Sequence, residues 1–177
     1  MTLQNWQIDP SHTEIQFKAK HLMITTVSGT FQEYTAKITT EGEDFSTTYV
    51  EFEAQISSIQ THNEQRDQHL KSADFFDVEN WPVLRFESVR IIQEKDQFLV
   101  EGNLTLKGIS KLIRLDMEIG GVANDPWGNR KAGITLSGKI NRKDFGLSFH
   151  VLNEAGNLLV SDDIKIICEV QLIAAAE

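Results

Sequence analysis

Three side chains at i, i+4 and i+7, His62, Arg66 and His69, fall on one face of any helix that carries them. Such a face can meet a phosphate, carboxylate or amide head group, with the Arg66 fork offering parallel donors. The same residues also make an ordinary solvated face with Arg66 paired to Asp67. Two His at i and i+4 with a Glu between them are missing, and Arg66 would repel a cation, so no metal is expected. His21 shares the parity of Ile15, Phe17 and Ala19, which points it inward at the end of its strand. An inward imidazole needs a polar partner, either a ligand head group or a neighbouring carbonyl. Arg142 and Asp144 read as an ion pair supporting a turn, with Arg142 a further head-group candidate. Asp9, Ser11 and His12 read as turn and cap chemistry, since a nucleophile and base this close in sequence rarely reach triad geometry. Cys168, the single cysteine, shares a strand face with Ile164, Ile166 and Val170 and reads as an inert core thiol. No catalytic residue is assigned.

These groups must be held by strands, because most of the 177 residues alternate with period two. The pattern is clear at 14–21, 50–56, 98–106, 113–119 and 132–140, and weaker at 29–40, 83–92 and 160–173. Turn chemistry at 41–44, 94–96, 107–108, 124–129 and 153–157 separates the runs. About eight antiparallel strands with one apolar face each bury it best in a closed up-and-down barrel, which also removes free edges. A two-sheet sandwich is the alternative. The interruption at 58–82 lacks alternation. Within it a short helix is predicted over 62–71, with Thr61 and Glu64 as a capping box, followed by a turn-rich return to Trp81-Pro82.

The inward positions are almost wholly apolar: Ile15, Phe17, Ala19, Phe52, Ala54, Ile56, Leu104, Leu106, Ile113, Leu115, Met117, Ile134, Leu136 and Ile140, with Phe75 and Phe76 at the barrel end. An eight-stranded barrel either fills itself with side chains or holds one small ligand. A wall of this kind suits a hydrocarbon tail. At about 0.8 kcal/mol per buried CH₂, a chain of about a dozen carbons offers about 10 kcal/mol before ordering costs.

The net charge of −9 opposes binding to nucleic acid or to an anionic bilayer unless a local basic patch overrides it, and no run of Lys or Arg suggests one. The first residues lack a basic and apolar leader, and no stretch is long and apolar enough to span a membrane. The expectation is one cytoplasmic domain.

Several motifs follow one another along nearly the whole chain. They are Trp6-x-Ile8-Asp9-x-x-His12 with Phe17 and His21-Leu22, Gly29-x-Phe31, Arg66-Asp67-x-x-Leu70 with Phe75-Phe76 and Trp81-Pro82, Gly102-x-Leu104-Thr105-Leu106-x-Gly108, and Asn141-Arg142-x-Asp144-Phe145-Gly146. Together they resemble the YceI-like polyisoprenoid-binding family. The resemblance implies a lipocalin-like barrel around a long-chain amphiphile such as a polyprenyl lipid, a quinone or a fatty acid derivative, and makes a homodimer reasonable. No further cofactor is required. The expected head-group residues are His21, Arg66, His69 and Arg142. The alternatives are a lipid-modifying enzyme using His21 and a filled-barrel interaction protein.

Overall fold

A computed structural model describes residues 2–149 and 160–176. Its elements are β1 (Leu3–Ile8), β2 (Glu14–His21), β3 (Thr25–Phe31), β4 (Tyr34–Glu41), β5 (Asp44–Gln55), β6 (Ile59–Gln60), α1 (Glu64–Lys71), β7 (Val83–Glu94), β8 (Gln97–Leu106), β9 (Ile109–Asn124), β10 (Arg130–Asn141) and β11 (Asp163–Ala174). Eight of the strands close a ring in the order β1-β4-β5-β7-β8-β9-β10-β11, and β11 pairs back onto β1 at Trp6↔Ala174. Every pairing is antiparallel, so the anticipated closed barrel is the architecture found. Strand β11 is shared. Its end pairs with β1, while Lys165 to Glu169 pair with β2, which carries β3 and β6 as a flap beside the ring.

The run expected at 29–40 is two strands, not one. Its break lies at Gln32 and Glu33, whose amides both donate to the Ser58 hydroxyl at 3.1 and 3.0 Å instead of continuing a ladder. The early strand β1 lies outside the expected runs because both its faces mix polar and apolar residues, Leu3 with Asn5 and Gln7 on one and Gln4 with Trp6 and Ile8 on the other. It is fixed by Trp6, which is 3% exposed and donates its indole N–H to Thr40 Oγ1 at 2.8 Å. The described loops follow the turn chemistry expected at 41–44, 94–96, 107–108 and 124–129, and the turn expected at 153–157 lies outside the described residues. Lys107 and Gly108 join β8 to β9 with φ of 50° and 75°, the geometry of a two-residue hairpin turn.

Two glycines let aromatic rings lie flat on the inner wall. A Cβ at Gly29 would fall 2.2 Å from Phe17 Cζ, and one at Gly102 would fall 2.4 Å from Phe86 Cζ and 2.7 Å from the Glu87 carbonyl. Because the second contact includes backbone, relief by ring motion is incomplete. Gly102→Ala is therefore expected to destabilise the protein by about 1–3 kcal/mol in urea unfolding, the range for overpacking.

Helix α1 begins two residues later than predicted. Asn63, not Thr61, caps it, its side-chain oxygen accepting from the Arg66 amide at 2.9 Å. Thr61 is instead 3% exposed and gripped from the helix: its hydroxyl donates to Asp67 Oδ1, while Arg66 Nε and Nη2 donate to its hydroxyl and carbonyl at 2.8 and 2.6 Å. The pair Arg66-Asp67 thus fastens α1 to the chain leaving β6.

Candidate functional site

The ring encloses a cavity of about 240 Å³. Alternation delivers its wall: Ile15, Phe17 and Ala19 from β2, Phe52 from β5, Leu104 and Leu106 from β8, Leu115 and Met117 from β9, Ile134 and Leu136 from β10, and Phe75 and Phe76 after α1 all line it. Ile113 and Ile140 do so as well. Among the described lining residues only Gln16, Thr48 and Arg142 are polar, and Arg142 is the single charged one.

Two residues expected in this wall lie elsewhere. Ala54 and Ile56 are 0% and 2% exposed in a satellite cluster with Phe31 and Ile59, beside the flap. For Ile56 the reason is local: β5 ends at Gln55, and Ile56 opens a 3₁₀ turn, Ile56–Ser58, which breaks the inward parity; Ala54 keeps the parity of Phe52 but is covered by the Phe31, Ile56 and Ile59 cluster. Ala36, Val50, Phe86 and Val100 join the wall beyond the residues expected there, and the Ile164, Ile166, Cys168 and Val170 face, expected as core, borders the cavity as well. Their alternation was visible. What could not be seen was that the space they face is open.

The four head-group candidates do not converge. His21 is exposed and absent from the wall, because the end of β2 runs past the ring and bridges by its backbone to Val160. Arg66 is committed to Thr61. His69 Nε2 lies 2.9 Å from Asp74 Oδ2, with its ring edge-on to Phe75 and Phe149 at centroid distances of 5.1 and 4.9 Å. Arg142 alone reaches the cavity wall.

Arg142 is 3% exposed, and its partner is not Asp144, which lies in solvent. Its Nη1 donates to the Leu147 and Phe149 carbonyls at 2.6 and 2.8 Å, its Nε to the Ser161 carbonyl at 3.0 Å, and its Nη2 lies 3.5 Å from both the Val160 carbonyl and Asp162 Oδ1. Burial lowers its pKa, and the charge of Asp162 opposes that shift. The guanidinium so ties residues 147–149 to 160–162 at the rim. The two Nη2 contacts are its weakest.

Asp9, Ser11 and His12 form the expected cap. Asp9 accepts from the Ser11 amide at 3.1 Å and hydroxyl at 2.7 Å, and lies 2.9 Å from His12 Nδ1. The Ser11 bonds, then the His12 bond, hold the Asp9 carboxyl down at about 2. Every member is spent on the turn.

A sequence profile of the family described as "YceI-like domain" matches residues 6–172. The chain belongs to this family. The YceI-like chain is 35% identical over 164 residues to a UPF0312 protein of Staphylococcus aureus (strain N315), covering 92% of this chain and 94% of the relative. The crystal structure of a Campylobacter jejuni YCEI protein superposes with a TM-score of 0.77 at 34% identity, over 89% of this chain and 90% of that one. A polyisoprenoid-binding domain from Saccharophagus degradans, 14% identical, shares the fold with a TM-score of 0.68 over 96% of this chain and 98% of its own.

Cys168 gives this YceI-like wall a reporter. It is 8% exposed, and burial pushes its thiol up to about 11. At pH 8 about one thiol in a thousand is ionised, so thiol-disulfide reagents should label the native protein at least about a hundredfold more slowly than the urea-unfolded chain. Equal rates would contradict the buried placement.

Proposed function

We propose that this protein is a non-catalytic binding protein that holds the tail of a long-chain amphiphile inside the barrel, with the head group at the rim beside Arg142. The observation that carries the reading is the open cavity whose described wall is apolar apart from Gln16, Thr48 and Arg142. An interior filled by its own side chains would leave no such volume, which weighs against a filled-barrel interaction protein. No Ser, His, Asp or Glu lies among the described lining residues, and the one thiol there is poorly ionised, which weighs against a lipid-modifying enzyme.

The wall gathers binding energy from methylene and methyl groups without selecting polar atoms along the tail. Selection falls to the head. Arg142 Nη2, with its two 3.5 Å contacts, is the donor most easily redirected to one acceptor oxygen of a hydroxyl, quinone or carboxyl head. A polyisoprenoid fits this scheme, in keeping with the family resemblance and with what the Saccharophagus degradans domain is said to bind.

Equilibrium titration with a polyprenol, a long-chain quinone and a long-chain fatty acid tests the reading. Saturable one-to-one binding of at least one, with its recovery chemically unchanged, is the expected result. Absence of binding for all three, or conversion of the bound molecule, contradicts it.

A further inference from the structure

The turn between β2 and β3 is built against the usual rules. Leu22 and Met23 both have left-handed backbones, φ 53° and 57°, and the Ile24 amide donates to the His21 carbonyl at 3.0 Å. Asn and Gly normally fill these positions, and the β8–β9 turn of this same chain uses glycine at one of them. Here the tip is apolar and lifted into solvent, with Met23 61% and Ile24 79% exposed. Among the described residues its packing gives no reason for such side chains.

A second observation lies on the outer face just behind the tip. Lys18 on β2 stands directly opposite Lys165 on β11, which stands opposite Lys139 on β10, so three ammonium groups share one level of three adjacent strands. Lys20 follows two residues nearer the tip. Like charges in direct register oppose sheet formation. Asp163 lies 3.4 Å from Lys139, but among the described residues Lys18, Lys20 and Lys165 have no carboxylate within ion-pair distance. Residues 15–32 contain no acidic side chain, in a chain whose net charge is −9. The basic patch that no run of sequence announced is assembled across strands.

We infer that the β2–β3 tip is a membrane-docking element: Met23 and Ile24 enter the interface of an anionic phospholipid bilayer while Lys18, Lys20 and Lys165 lie against its head groups. An apolar insertion backed by cations is what such a surface recognises, and the anionic surface relieves the repulsion within the lysine row. A protein partner would need a broader apolar face than a single turn provides. The tip is also placed for traffic with the cavity, since Ala19 and Val160 at its root both line the wall. The docking itself does not rest on what the cavity holds.

Co-sedimentation with phosphatidylcholine vesicles, with and without phosphatidylglycerol, tests the inference. The wild-type protein should bind the phosphatidylglycerol vesicles at low salt and leave them at high salt. Met23→Ser with Ile24→Ser, and separately Lys18→Glu with Lys165→Glu, should each weaken binding by about tenfold or more while leaving the thermal midpoint unchanged. Trp127→Ser, at an exposed hairpin remote from the tip, should have no effect. Ala36→Trp, a change in the cavity wall, should also bind vesicles normally, which separates docking from cavity occupancy. Absence of wild-type binding to the anionic vesicles, or binding that survives either the tip or the lysine substitutions, overturns the proposal.

Discussion

Ala36→Trp is expected to empty the barrel of its long-chain occupant while leaving the barrel folded. Ala36 lies on β4, opposite Phe52 in the ladder, and its small side chain faces the cavity. A tryptophan there has the cavity to project into, so the overpacking penalty stays within about 1–3 kcal/mol. The cavity is only about 240 Å³, and an indole takes much of it. Binding of any long-chain ligand should fall by at least about a hundredfold, because each excluded methylene forfeits about 0.8 kcal/mol. Far-ultraviolet circular dichroism should remain that of the wild type. Undiminished binding would place the ligand elsewhere. Ala54→Trp makes an informative companion, since Ala54 is fully buried in the satellite cluster; it should damage the fold instead of the site.

Arg142→Leu is expected to remove about 3–5 kcal/mol of stability in urea unfolding, the scale for leaving buried polar partners uncompensated. The substituted side chain keeps apolar bulk but strands the Leu147, Phe149 and Ser161 carbonyls that the guanidinium now satisfies. Arg142→Lys keeps the charge yet cannot reproduce the planar fork, so it should fall between the two. A loss below about 1 kcal/mol for Arg142→Leu would mean that those carbonyls find water, and that Arg142 is not the strut at the rim.

Alternation was sufficient to read the barrel and most of its wall, because side-chain parity in a strand follows directly from period two. Leu104, Leu106, Leu115, Met117, Ile134 and Leu136 face inward for that reason alone. Parity misleads where a strand stops or leaves the ring. Ile56 falls in a 3₁₀ turn and leaves the wall, and His21 keeps its parity while β2 runs out past the cavity. Long polar side chains were less legible still. Arg66 and His69 share the helix that spacing predicted, but which acceptor each finds depends on Thr61 and Asp74, brought close by the turns on either side. The role of Arg142 as a tie between two separated stretches depends on carbonyls up to 19 residues away, which no local pattern encodes.

Sequence also missed the lysine row, for a related reason. Lys18, Lys139 and Lys165 are isolated in the chain and become neighbours only through the registers of β2, β11 and β10. The apolar hairpin was similarly hidden, because Leu22-Met23-Ile24 reads as the continuation of a strand until two left-handed residues turn it outward.

Native mass spectrometry of the protein, purified without detergent, tests the central claim most directly. The expected result is one long-chain amphiphile per chain, released by organic solvent and absent from Ala36→Trp. A wild-type protein found only at its bare chain mass, and still at that mass after incubation with isoprenoid, quinone and acyl ligands, would contradict it.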